Sequence, residues 1–183
     1  MKQTATSTIE EICKFIMPFE NYSESRCYMV PLGNVPESQL LNVHTIVSAI
    51  DGKLSSDSRI TIDCGPVKKG TYQRRPGIHV DGVWEEGWRY QRKSFSDSYD
   101  QDMYLYSSHK GCKVYLGEYE WQQTSDGSYH KLDVSKMQAM ILMPHRLYKA
   151  SALYTLHESL PAQEDQFRLF IRIHGNFLLD GLK

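Results

Sequence analysis

The chain is most informative first in what it lacks. Its four cysteines, Cys13, Cys27, Cys64 and Cys112, form no Cys-x-x-Cys pair, which argues against a zinc ribbon or a dithiol redox motif. No apolar run approaches the roughly 18 residues that a membrane-spanning helix needs, so no membrane partner is expected. Lys and Arg total 21 against 22 Asp and Glu, so no overall positive field draws in nucleic acid. No phosphate-cradling glycine loop is present, which disfavours nucleotide hydrolysis and Rossmann chemistry. No Gly-x-Ser-x-Gly elbow surrounds Ser159, which removes it as a nucleophile. Met1 to Thr8 lacks the basic-then-apolar order of a secretory leader, and the expectation is a cytoplasmic chain with reduced thiols.

What is present suits one globular domain over residues 1–183. Hydrophobic residues make up 40%, charged residues 23% and aromatics 11% of the 183, enough to bury a substantial core. Ile9, Ile12, Cys13, Ile16 and Met17 fall on one helical stripe and predict a helix over Thr8–Phe19, with Pro18 limiting its end. Leu40, Leu41, Val43, His44, Val47 and Ile50 predict a second over Glu37–Ile50, with Pro36 before it and Gly52 after it. Beyond Gly52 the period changes to two. Strands are expected over Arg59–Cys64, Gly77–Trp84, Met103–Ser107, Lys113–Trp121, Met137–Met143, Leu153–His157 and Phe167–His174. A helical N-terminal part over 1–52 and a β core over 53–175 make the class α+β, mainly β: helices packed on one sheet of a sandwich or barrel.

Within the strand Gly77–Trp84, His79 and Asp81 are two residues apart and point to the same face, while Val80 faces away. An imidazole and a carboxylate side by side, with a distant histidine, make a facial triad that binds Fe(II) and leaves three coordination positions open. His157 ends a late strand and can be that histidine. On the strand after it, Leu169, Ile171 and Ile173 share one face, and Arg168, Phe170, Arg172 and His174 share the other. Arginines on an inward face are costly unless an anion meets them. A planar guanidinium fits a carboxylate bidentately. Read singly, each feature has a plain alternative: a surface His–Asp pair, a structural histidine, and arginines facing solvent on a half-exposed strand.

Taken in order, these residues resemble the Fe(II)/2-oxoglutarate-dependent oxygenases, whose fold is a double-stranded β-helix, a jelly-roll or cupin-like barrel. The family pattern is His-x-Asp/Glu early, a distal His late, and an Arg or Lys on the next strand. His79 and Asp81 match the first pair, His157 the distal histidine, and Arg168 and Arg172 follow it by 11 and 15 residues. The resemblance implies Fe(II) on His79, Asp81 and His157, with 2-oxoglutarate as cosubstrate. Its far carboxylate would lie on Arg168 or Arg172. Arg168 is preferred, because the short connection Pro161 to Gln166 is expected to keep it at the metal's depth.

The substrate side is read from Arg74 and Arg75 before the motif and Trp84 after it. Basic residues interleaved with aromatics seat an anion and stack a ring, so a small anionic or aromatic molecule is expected, a single nucleotide among the candidates. The competing reading is a cupin-like ligand-binding or protein-interaction module with the same barrel and no redox chemistry.

Overall fold

A computed structural model describes residues 3–14, 23–50, 54, 58–81, 102–121 and 132–175. Among these described residues, ten strands and one α-helix run in the order β1 (Gln3–Ser7), β2 (Ile9–Lys14), β3 (Ser25–Pro31), α1 (Leu40–Ala49), β4 (Arg59–Val67), β5 (Asp102–Ser107), β6 (Cys112–Trp121), β7 (Gln138–Ile141), β8 (Arg146–Ser151), β9 (Leu156–Ser159) and β10 (Gln166–His174). They make two antiparallel sheets. The larger has the order β2-β8-β5-β10-β4-β3. In the smaller, β6 pairs with β1, β7 and β9, and β9 is bridged on its other side by His79. From β4 onward the chain passes between the sheets: β4 in the large one, His79 in the small, β5 large, β6 and β7 small, β8 large, β9 small, β10 large. Four strands per sheet, interleaved in this way, are a double-stranded β-helix.

The alternation on β10 sorts its side chains as expected. Leu169, Ile171 and Ile173 face outward with Ile60, Ile62 and Cys64 of β4, where Val43, Ile46 and Ile50 of the helical segment cover them. Phe170 faces inward with Met103, Leu105 and Tyr148, opposite Val114 of the small sheet. Ile46 is 1% exposed, and burial of such a side chain stabilises by roughly 1.5–3 kcal/mol. The helix therefore pins the large sheet from behind and leaves its inner face to the site.

The first of the two expected helices is not one. Ile9–Lys14 is an edge strand on β8, with a bulge between Glu11 and Cys13. The bulge adds a residue to one strand, so Ile9, Ile12 and Cys13 all turn toward the core while Glu10, Glu11 and Lys14 stay exposed. A strand with one bulge thus copies the i, i+3, i+4 spacing of a helix. The N-terminal part contributes three strands and one helix. The other displacement concerns β9. Ser151 and Thr155 form a side-chain-bonded turn, with Ser151 N–H donating to Thr155 Oγ1 at 2.9 Å and Tyr154 N–H to Ser151 Oγ at 2.9 Å. The turn takes up the first half of the strand expected over Leu153–His157, so the strand is Leu156–Ser159 and His157 lies inside it.

Candidate metal centre

His79 and His157 come from neighbouring segments of the small sheet and exchange both backbone hydrogen bonds, His79 N–H to His157 O at 2.9 Å and His157 N–H to His79 O at 3.0 Å. Directly opposed residues share a face, so the two rings lie together with centroids 4.5 Å apart. Val80 faces the other way into a cluster with Tyr115 and Leu156. That reversal returns Asp81 to the side of His79. One ligand atom from each of His79, Asp81 and His157 lies within 4.8 Å of the others, and all three residues are buried.

The tautomers follow from the backbone. His79 Nδ1 is 2.7 Å from the Gly77 carbonyl, and His157 Nδ1 is 3.0 Å from the Thr155 carbonyl. A carbonyl only accepts, so each Nδ1 carries the proton and donates it. Each Nε2 is left to the interior, the arrangement in which a histidine serves as a metal ligand with its other nitrogen anchored. His157 Nε2 stands 3.2 Å from Asp81 Oδ2. A lone pair facing a carboxylate at that distance is repulsive unless a proton or a metal cation lies between them. The donor set, two imidazoles and one carboxylate, suits a divalent transition metal.

The electrostatics hold the cluster ready for a cation. Burial, and then the neighbouring His157, push the His79 pKa down to about 3, so its ring is neutral. Burial alone would raise the Asp81 carboxyl, but Arg172 and His157 outweigh it and hold the group well below the usual carboxylate range. Arg172 Nη1 forms an ion pair with Asp81 Oδ1, which leaves Oδ2 toward His157.

These groups open on one cavity of about 450 Å³, lined also by Arg74, Arg75, Arg168, Phe170, Tyr28 and Gly111. The cavity brings together every expected site residue that the structure describes. Trp84 lies outside the described residues. The two arginines of β10 are placed differently from the expectation: Arg172, not Arg168, lies at the depth of Asp81. Arg168, only 2% exposed, sits deeper along the strand, its Nε donating to Ser107 Oγ at 3.0 Å. Its guanidinium fills the space above Gly111, where an added Cβ would come within 2.0 Å of Nη1. Four residues along a strand is about 13 Å, because the rise is about 3.3 Å per residue, so the arginines mark two ends of the cavity. Arg75 is exposed at the rim and Arg74 is half-buried.

Three lining residues had no clear sequence signal. Gly111 follows His109 and Lys110 in a turn-like stretch that carries no sign of a site. Cys112 follows it and has its thiol pushed up to about 12 by burial, which makes it unreactive wall. Tyr28 comes from β3, where the pairing with β4 breaks between Cys27 and Val30 and Met29 takes a φ of 50°. Such a bulge re-aims a side chain, here onto the cavity mouth.

No protein-family model matches the chain, and no curated protein matches its sequence. Among solved structures it is similar to EvdO2 from Micromonospora carbonacea var. aurantiaca, a protein crystallised in complex with 2-oxoglutarate, with 14% identity, a TM-score of 0.42, and 76% of this chain and 60% of that chain covered. It is similar also to a prolyl-4-hydroxylase from Pseudomonas putida, with 12% identity, a TM-score of 0.36, and 78% of this chain and 69% of that chain covered. The chain thus spans less than two thirds of the length of EvdO2. Overlaps this loose leave the chemistry to be read from the site's own atoms.

Proposed function

We propose that the protein is a non-haem Fe(II)- and 2-oxoglutarate-dependent oxygenase acting on a small anionic or aromatic molecule. One observation carries the reading: two backbone carbonyls fix both imidazoles so that each Nε2 and one Asp81 oxygen converge inside a cationic cavity. His79, Asp81 and His157 would hold the iron on one face and leave the opposite positions open. With dioxygen as oxidant, bound iron and 2-oxoglutarate would supply the hydroxylation of a C–H bond, one oxygen atom going to the substrate and the other to the succinate that forms as the cosubstrate loses carbon dioxide.

The chain's own residues bind, orient and exclude water. Arg168, buried and bonded to a neutral hydroxyl, takes the distal carboxylate of 2-oxoglutarate in its planar fork. Ser107 fixes the plane of that fork, and Gly111 leaves room for it. Arg172 keeps one Asp81 oxygen occupied, so the carboxylate offers the other to the metal. Leu105 and Phe170 line the cavity with apolar surface and limit the water in it. Arg74 and Arg75 at the mouth favour a substrate with negative charge, and a nucleotide meets that requirement through its phosphate.

The test is succinate formation from 2-oxoglutarate by the iron-loaded protein on exposure to oxygen. Wild type is expected to form succinate, and His157→Ala is not. Binding of 2-oxoglutarate with no succinate under any iron loading would overturn the oxygenase reading in favour of a cupin-like binding module.

A further inference from the structure

The described lining of the cavity holds more positive charge than the proposed cosubstrate can meet. Among the described residues, Arg74, Arg75, Arg168 and Arg172 line it, against the single carboxylate of Asp81. Asp81 is taken by Arg172. Arg168, at the far end, is matched by the distal carboxylate of 2-oxoglutarate. Arg74 is left, half-buried, with a long ion pair to Asp63 Oδ2 at 3.9 Å. Asp63 is itself shared, since Arg26 Nε lies closer to its other oxygen at 3.2 Å.

Arg74 is also built into place. Its guanidinium carbon lies 5.6 Å from the ring centroid of Tyr28 and 5.6 Å from that of Phe170, within cation–π reach of both. Tyr28 reaches this position through the bulge at Met29, in a left-handed backbone conformation uncommon for a side-chain-bearing residue. The preceding residue, Gln73, ties the loop to both flanking strands: its Nε2 donates to Asp63 O at 2.8 Å and to Arg168 O at 3.2 Å. Arg172 presents a second cation on the same side, with its guanidinium carbon 5.9 Å from the Tyr28 ring centroid and its Nε and Nη2 buried without a hydrogen-bond partner. A guanidinium in reach of two rings and beside another arginine, with only a long ion pair to a shared acid, is arranged for an external oxyanion.

We propose that Arg74, flanked by Tyr28 and Arg172, is the anchor for an anionic headgroup of the substrate, a subsite separate from the Arg168 end of the cavity. The headgroup is a carboxylate or a tetrahedral oxyanion such as a phosphate or sulfonate. The assignment rests on the oxygenase reading only in giving Arg168 to 2-oxoglutarate.

Calorimetric titration of the metal-free protein at low ionic strength tests it, with sodium sulfate and sodium acetate as probes. The measurement uses neither iron nor 2-oxoglutarate, so a failed succinate assay leaves it standing. In an Arg168→Ala background, where the far site is removed, one anion site is expected to remain. Arg74→Ala in that background is expected to weaken it by roughly tenfold or more, since a charge-assisted fork is lost. Arg74→Gln keeps length and hydrogen bonding without the charge; it must show the same loss, which guards against a folding failure of the alanine variant. Lys68→Ala, an exposed cation of the same loop paired to Asp165, is expected to change nothing. The tighter probe identifies the headgroup. No binding of either probe in the Arg168→Ala background, or equal binding with and without Arg74, overturns the proposal.

Discussion

The two ends of β10 carry the same side chain in opposite circumstances. Arg172, 3% exposed, is held by a carboxylate of the protein, while Arg168, 2% exposed, is held by a neutral hydroxyl. Burial lowers the pKa of Arg172, but Asp81 and Tyr28 together outweigh it and raise the pKa; on Arg168, burial prevails and lowers it. A buried cation with an internal partner is part of the framework. A buried cation without one is a ligand site, because only an incoming anion can recover the cost of its desolvation.

The largest effect that would test this contrast is loss of the internal pair. Asp81→Ala leaves Arg172 buried and uncompensated, and is expected to destabilise the metal-free protein by about 3–5 kcal/mol in urea denaturation. Arg168→Ala, with only a neutral partner lost, is expected to leave the urea midpoint far less affected. Comparable shifts in both variants would erase the distinction.

Acid is expected to weaken the same end. The unfolded state protonates His79 near pH 6.5, whereas the folded state resists until about pH 3, so the unfolded chain binds more protons between those values. Stability is therefore fully present above about pH 6.5 and falls as the pH drops toward 3, by about 3 kcal/mol at pH 4 from this group alone. Asp81 adds to the loss at the bottom of the range, its folded pKa being depressed. Denaturation midpoints across pH 4 to 8 measure the slope, and a metal-free protein equally stable at pH 4 and 7 would contradict the burial of a neutral His79.

At the other end the expected effect is on ligand, not on fold. Arg168→Ala is expected to weaken 2-oxoglutarate binding to the manganese-loaded protein by roughly thirtyfold or more in calorimetry, since losing one partner of a buried charge pair costs about 2–5 kcal/mol. Binding that survives Arg168→Ala but fails in Arg172→Ala would move the carboxylate clamp to the metal end. A smaller version is Gly111→Ala, whose methyl occupies the guanidinium's place and must push Arg168 aside. About a tenfold loss of 2-oxoglutarate affinity with unchanged metal binding is expected.

How much of this was legible in the sequence depends on whether period-two alternation survived. It survived on β10, where Leu169, Ile171 and Ile173 against Arg168, Phe170 and Arg172 gave both the core face and the site face correctly. It survived at His79-Val80-Asp81, so the same-face pair was readable, and the grouping with His157 followed from order along the chain. It failed in β2 and β3, where bulges insert a residue, and in β8, whose Arg146–Ser151 is buried on both faces between β2 and β5 and shows no alternation. β1 went unread because Gln3–Ser7 has almost no apolar content and forms through its ladder with β6. The relative depth of the two arginines was not legible either, because it depends on the register of β10 against the small sheet, which no local pattern encodes.

The most direct test of the metal centre is Fe(II) stoichiometry by anaerobic equilibrium dialysis of wild-type and Asp81→Ala protein, with circular dichroism to show that both are folded. The geometry predicts about one equivalent in the wild type and none retained by the variant, because two imidazoles alone leave the triad without its charge-neutralising ligand. Equal iron in the two folded proteins would contradict the assignment of His79, Asp81 and His157 as a metal site.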